Sequence, residues 1–283
     1  MSWAPHLSVP EFQQLQRLFN EVAGLRFDAT ALVLFQRRLG PRLPVHELTS
    51  FRDYARVLSE SHEELGAALE LLTSGETYFF RHEEQLDLLA GKILPAIAAA
   101  NAAVRRLIVW SAGCSSGEEA YTAAILVQES GLFQGWDVRI LGSDLSPERI
   151  EHARQGCYFQ GAFRSTDESL RSRYFVQSGR FWQVCEQTRQ LCQFVTGNLL
   201  DTYFDPLIGR ADVILCRNVL IYLDDAARAR VLRNLYDRLA SGGFLLLGHS
   251  ESLKFLDVTL EFQSLQQDLA FRKPQRNRRG GEP

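Results

Sequence analysis

The stretch from Leu107 to Tyr121 restricts what this chain can fold into more than any other. An apolar run, Leu107-Ile108-Val109-Trp110, leads through Ser111-Ala112 into Gly113-Cys114-Ser115-Ser116-Gly117 and then Glu118-Glu119-Ala120-Tyr121. That order reads as a strand, a glycine-hinged turn and a helix. Gly113 and Gly117 let the backbone turn tightly and approach a ligand, while the first N–H groups of the helix, unpaired within it, offer donors. A second strand, Val138 to Ser143, ends in Asp144, whose carboxylate can accept from two ribose hydroxyls. Together these pieces make half of a nucleotide-binding α/β unit.

The turn is G-x-x-x-G and not the dinucleotide pattern G-x-G-x-x-G. Glu118 and Glu119 open the helix where a pyrophosphate needs positive potential, so a diphosphate would be repelled. The same acids suit a ligand with ribose hydroxyls and a cationic amino group, which describes S-adenosylmethionine better than NAD or ATP. Carboxylates in a first helical turn are also ordinary dipole partners, and either glutamate admits that reading.

With 283 residues, 46% of them hydrophobic and 11% aromatic, the chain can bury the cores of two modest domains. A formal net charge of -3 gives no global field toward nucleic acid or anionic lipid, so any basic recognition surface must be local. No apolar stretch reaches the length of a membrane span and the first residues lack a signal-peptide pattern, so the expectation is a cytoplasmic protein without membrane insertion. The cysteines, Cys114, Cys157, Cys185, Cys192 and Cys216, show neither C-x-x-C pairs nor histidines at zinc spacing. Neither a disulfide framework nor a metal is expected.

Residues 1–90 read as a small helical domain with helices at Glu11 to Ala23, Asp28 to Leu39, Leu48 to Ser59 and His62 to Leu72. Asp28 is placed to cap the second helix and Gly40-Pro41 to stop it. Arg37 and Arg38, with Arg42 just beyond, form a positive patch because no acid lies between Asp28 and Glu47 along the chain. A solvated face is the ordinary reading of such a run. After a connecting helix, Leu86 to Ala100, residues 91–272 alternate between strand and helix. Strands are expected at Leu107 to Ala112, Val138 to Ser143, Gln193 to Thr196, Asp212 to Cys216 and Phe244 to Gly248, with a final pair within Leu260 to Arg272. Asp224 or Asp225 should cap a helix that Gly242-Gly243 ends. Such alternation gives a mostly parallel sheet covered on both faces, with ligands outside the carboxyl ends of its strands. Ser178-Gly179, flanked by apolar and aromatic residues, marks a β-hairpin inserted at about residues 172–192. The polar tail, residues 273–283, reads as disordered or as the start of a linker to a further domain.

Four further segments align with the glycine turn: Gly75 to Arg81, Gly197-Asn198-Leu199, Cys216 to Tyr222, and Gly248-His249-Ser250-Glu251. With Trp110 to Tyr121 and Ser143-Asp144, they closely resemble the motifs of the CheR family of S-adenosylmethionine-dependent methyltransferases, which esterify glutamates on bacterial chemoreceptors. The resemblance covers roughly residues 10 to 272. It implies an α/β fold: a Rossmann-like class I methyltransferase sheet with an inserted β-hairpin subdomain, preceded by a small all-α domain. It further implies that Thr77, Tyr78 and Arg81 wall the cofactor pocket, that Ala112, Gly113 and Glu118 lie beside the methionine end, and that Asp144 takes the ribose. Asn198 and Leu199 would neighbour the adenine, while Arg217, Asn218 and Tyr222 would face the methyl group. Gly75 stands where relatives often carry a cofactor-contacting asparagine. The partner implied is the cytoplasmic helical domain of a chemoreceptor-type protein, docked through Arg37, Arg38 and Arg42.

The implied chemistry suits these residue types. A glutamate of reference pKa about 4.3 is already ionised at neutral pH, so direct in-line transfer needs no general base. Arg81 is assigned to the cofactor's methionine carboxylate, because a guanidinium gripping the attacking oxygen would stabilise the ground state. Tyr222 is assigned to positioning the acceptor, and Arg81, Tyr222 and Arg217 form the catalytic set. Alternatives are a methyltransferase for another protein or a small molecule, and a non-catalytic module that senses S-adenosylmethionine or S-adenosylhomocysteine. Retention of the methyl-facing residues favours the enzyme.

Overall fold

Apolar spacing of three and four builds the N-terminal helices α1 (Val9–Ala23), α2 (Leu32–Leu39), α3 (Arg42–Val45), α4 (Phe51–Glu60) and α5 (His62–Leu72). The computed structural model describes residues 6–73, 76–201, 209–251, 253, 263–265 and 270–275. Ser50 and Ser61 cap α4 and α5 by accepting from Asp53 N and Glu64 N. Asp28 does cap, accepting from Thr30 N, but the turn that it opens is a 3-10 segment, Ala29–Ala31, and the α-helix begins only at Leu32. Phe35 receives Phe12, Phe19 and Phe27 edge-on at centroid distances of 5.0, 5.7 and 4.8 Å, forming the centre of this small all-α domain.

The connecting helix starts earlier than the periodicity suggests, at Glu83. It runs as α6 (Glu83–Leu88), a π-helical stretch Leu89–Ile93 and α7 (Leu94–Ala100). Pro95, which has no N–H and cannot bond back to the preceding turn, sits immediately after the widened segment.

Beyond it, β1 (Arg106–Ala112), α8 (Glu118–Ser130), β2 (Asp137–Asp144) and α9 (Pro147–Gln155) form the unit read from the glycine turn. An insertion follows, with β3 (Cys157–Phe159), α10 (Glu168–Tyr174), β4 (Phe175–Ser178), β5 (Phe181–Val184) and α11 (Glu186–Arg189). Its strands pair in the order β3-β5-β4, so the expected hairpin carries a third strand. The chain then completes the main sheet with β6 (Cys192–Thr196), β7 (Ala211–Cys216), α12 (Asp225–Arg238), β8 (Leu239–Leu247), β9 (Gln263–Leu265) and β10 (Ala270–Arg272). The described strands of that sheet run β6-β2-β1-β7-β8-β10-β9, parallel from β6 to β8 and antiparallel at the β10 and β9 edge.

Asp224 caps α12 by accepting from Ala227 N. Gly242-Gly243 does not end that helix: α12 stops at Arg238 and both glycines lie inside β8, beside a register irregularity between Ala211 and Val213. The reason is space, since a Cβ on Gly243 would lie 2.9 Å from the Asp212 carbonyl oxygen. Residues 273–275 of the expected tail are described, and Lys273 Nζ donates to the carbonyls of Tyr236 and Leu239 at 2.7 and 2.9 Å. Residues 276–283 of that tail lie outside the described residues.

Alternate residues of the strands enter two buried clusters, as expected for a sheet covered on both faces. Leu107, Val109, Val213 and Leu215 pack with α8 and the insertion, whereas Ile108, Trp110, Ile214 and Cys216 join a cluster that includes α12 and the phenylalanine centre of the helical domain. The helical domain is thus packed onto one face of the sheet. Leu25 bridges Leu223, Arg26 N donates to Tyr222 O at 2.8 Å, and Asp224 N donates to Gly24 O at 2.9 Å. Among the described residues no helix is long and apolar enough to cross a membrane.

Candidate functional site

A cavity opens at the carboxyl ends of β1, β2, β6 and β7. The turn after β1 contributes Gly113, Cys114 and Ser115, the end of β2 contributes Asp144 and Ser146, and the loops after β6 and β7 contribute Asn198, Leu199, Arg217, Asn218 and Tyr222. The other domain and the linker add Ala23, Leu25, Leu69, Glu70 and Thr73, then Glu76, Thr77, Tyr78 and Arg81. The linker residues match the expectation from the sequence, whereas the helical residues carry no motif that marks them.

Gly113 has φ +82°, and a Cβ there would lie 2.5 Å from Val219 Cγ2, so the β1 turn can sit against the β7 loop only as glycine. Its N–H and that of Cys114 both donate to Ser143 O at 2.8 Å, which ties the ends of β1 and β2 together. Asp144 is held in place by Ser115 N at 2.9 Å and Ser146 N at 3.0 Å, one on each oxygen. Each oxygen keeps lone-pair capacity for a ligand hydroxyl.

The loop after β7 is organised by Glu251. Its carboxylate accepts from Asn218 N (3.0 Å), Val219 N (2.8 Å), Leu220 N (2.6 Å) and Gly248 N (2.6 Å), with Ile221 N at 3.3 Å. Burial pushes the Glu251 carboxyl up from its ordinary value against those donors. Asn218, at φ +60°, lies within hydrogen-bonding distance of His82 Nε2 through its side-chain oxygen, at 3.3 Å. Arg217 is buried and ion-paired: Nε meets Glu119 at 2.7 Å, and Nη1 donates to Arg81 O and Gln85 Oε1 at 2.9 and 3.1 Å. Ser111 Oγ takes the other Glu119 oxygen at 2.6 Å.

Of the residues singled out from the sequence, Thr77, Tyr78, Arg81, Gly113, Asp144, Asn198, Leu199, Arg217, Asn218 and Tyr222 converge on this cavity. Ala112 and Glu118 do not line it. Ala112 is fully buried at the end of β1, and Glu118 is buried with its carboxylate on Ser116 Oγ at 2.7 Å, where burial raises its pKa. Glu119, its neighbour, is the acid that reaches the cavity wall. Asn198 does more than line the cavity: Nδ2 donates to Val22 O at 2.7 Å, joining the β6 loop to α1. Gly75 lies outside the described residues. In the linker, Phe79 packs into the insertion against Tyr158, Phe163 and Phe175.

The basic patch is corrected in one member. Arg42 forms a two-pronged pair with Glu64 of α5, which Tyr54 Oη also bonds at 2.6 Å, so its charge is neutralised by an acid distant in sequence. Arg37 stays exposed on α2, and Arg38 Nη1 donates to Leu71 O at 2.6 Å, at the end of α5 that leads to the cavity wall.

Two buried polar atoms on cavity-lining residues, Arg81 Nε and Ser115 Oγ, have no partner among the described residues. A cation near the linker, an acid at the tip of β2 and an apolar rim of Leu25, Leu199 and Val219 fit a ligand that joins an amino acid to a nucleoside.

The comparisons agree with this architecture. The family models described as "CheR methyltransferase, SAM binding domain" and "CheR methyltransferase, all-alpha domain" match residues 75–271 and 10–73. Chemotaxis protein methyltransferase 2 of Vibrio cholerae serotype O1 is 30% identical over 272 residues, covering 95% of this chain and 94% of that protein. The chemotaxis protein methyltransferase of Vibrio parahaemolyticus is 33% identical over 264 residues, 90% of this chain and 94% of that one. Chemotaxis protein methyltransferase 2 of Pseudomonas aeruginosa is 32% identical over 253 residues, 87% and 88% respectively.

Proposed function

The chain belongs to the CheR methyltransferase family, and from that premise we propose that it esterifies glutamate side chains of a chemoreceptor-type protein. It is an S-adenosylmethionine-dependent methyltransferase of the chemotaxis type. The observation that carries the finer reading is the cavity itself, in which the linker cation Arg81, the acid Asp144 and the β7 loop with Tyr222 meet at the strand tips.

S-adenosylmethionine supplies an electrophilic sulfonium methyl group. In this reading Asp144 accepts from the ribose hydroxyls, Arg81 pairs with the methionine carboxylate, and Asn198 and Leu199 border the adenine. Thr77 and Tyr78 wall the pocket. Arg217 and Asn218 close the side facing the methyl group, and Arg217 does so as a fixture, its guanidinium committed to Glu119, Gln85 and the Arg81 backbone. Tyr222 lies on the loop that Glu251 holds, at the edge where an acceptor side chain enters, and positions that carboxylate. The protein's work is alignment and exclusion of water, which can contribute on the order of 7–11 kcal/mol in favourable cases. No residue has to take a proton, since the acceptor is ionised already.

Arg38 bonds to the end of α5 that feeds the cavity wall, and Arg37 is exposed next to it in α2, which supports docking of an acidic face of a receptor helix there. Incubating the protein with S-adenosylmethionine and receptor cytoplasmic fragments, followed by tandem mass spectrometry, should place methyl esters on glutamates. Methylation confined to another side-chain type, or none on any fragment, would overturn the proposal.

A further inference from the structure

Arg164, on the insertion and outside the cavity lining, touches two residues of the cavity wall, Tyr78 and Glu76. Its guanidinium carbon lies 3.6 Å from the centroid of the Tyr78 ring, and its Nη2 lies 2.7 Å from Glu76 Oε1. The Glu76 main-chain carbonyl in turn accepts from Arg81 Nη1 at 2.6 Å. Next to these contacts, Phe79 N donates to Ala162 O at 2.9 Å, and the Phe79 ring stacks on Phe163 at 5.0 Å. Arg81 lies 5.6 Å from the same Tyr78 ring, with its Nε buried and without a partner among the described residues.

We infer that Arg164 is a positioning residue for cofactor binding: through Tyr78 and Glu76 it sets the linker segment from which Arg81 reaches the amino-acid end of the ligand. This rests on the reading of Arg81 as partner of the cofactor's carboxylate. Arg164 touches no substrate. A guanidinium suits the task because it can stack on the ring while pairing with the carboxylate, which an ammonium does less well.

Titration calorimetry with S-adenosylhomocysteine and with 5′-methylthioadenosine, which keeps the nucleoside but lacks the amino-acid end, separates the possibilities. Arg164→Ala should weaken S-adenosylhomocysteine about two- to fivefold, the range of an exposed cation–π contact, and leave methylthioadenosine unchanged. Arg164→Lys should fall between wild type and alanine. Unchanged affinity for S-adenosylhomocysteine, or equal weakening of both ligands, would overturn the inference. Arg81→Ala tested alongside should also lose affinity selectively for S-adenosylhomocysteine. If it does and Arg164→Ala does not, only the positioning role falls; if Arg81→Ala shows no selectivity, the reading of Arg81 falls first.

Discussion

Asp144 is gripped by two backbone N–H groups before any ligand arrives, so its orientation is fixed by the chain and not by the ribose. Asp144→Ala should therefore weaken S-adenosylhomocysteine binding by about 1.5–3 kcal/mol, the range of hydrogen bonds to a charged group, as read by calorimetry. Unchanged affinity would remove Asp144 from the ribose. Tyr222→Phe should lower methyl transfer while leaving S-adenosylhomocysteine affinity nearly intact, and a parallel loss of both would make Tyr222 a cofactor contact instead. At this scale sequence and structure part in instructive ways. Glu118 and Glu119 are adjacent, and successive helical residues point about 100° apart, so only one of them can face the cavity. Which one depends on how α8 lies against β1, and that is set by packing beyond the motif. Glu251 stood in a visible motif after the last parallel strand, yet its work is to hold the backbone of another loop, a role that no residue type announces.

Among the elements, the turn between α1 and α2 is tied to the start of α12 by Gly24. A Cβ on Gly24 would lie 2.4 Å from Ala227 Cβ, and its φ is +66°. Gly24→Ala should lower stability by roughly 1–3 kcal/mol in chemical denaturation, through overpacking and backbone strain. No loss would mean that the turn moves away from α12 freely. Within the helical domain, burial pushes the Glu64 carboxyl up, but hydrogen bonds from Arg42 and Tyr54, with His46 close by, outweigh it and bring the pKa down to about 2 from an ordinary 4.5. A carboxyl depressed on folding stabilises the protein above its unfolded pKa, and that contribution is lost as pH falls through the folded value. Acid unfolding between about pH 4.5 and about pH 2 should thus be shallower in Glu64→Gln than in wild type; equal slopes would dismiss the cluster as a source of acid sensitivity. The long strands and helices were legible because apolar periodicity survives over their length. The strand Cys157–Phe159 was not, since three residues after a helix carry no period, and Gly242-Gly243 looked like a stop when they accommodate an irregularity inside β8.

At the level of the whole molecule, the helical domain and one face of the sheet share a buried cluster, so Arg37 and Arg38 stand in a fixed relation to the cavity. Reversing both to glutamate should raise the apparent KM for a receptor fragment with little change in cofactor affinity, and an unchanged KM would make that surface merely solvated. The helical domain followed from apolar periodicity, and the cavity at the strand tips from the glycine turn and the alternation after it; the pairing of Arg42 with Glu64 did not, because only the fold brings α5 beside α3. The most direct test is the initial rate of methyl transfer from radiolabelled S-adenosylmethionine to a receptor cytoplasmic fragment, followed from about pH 6 to about pH 9. The expected result is a base-labile label that enters at a rate showing no ionisation in that interval. A base-stable label, or a rate that climbs through a pKa near neutrality, would contradict transfer to an already charged glutamate.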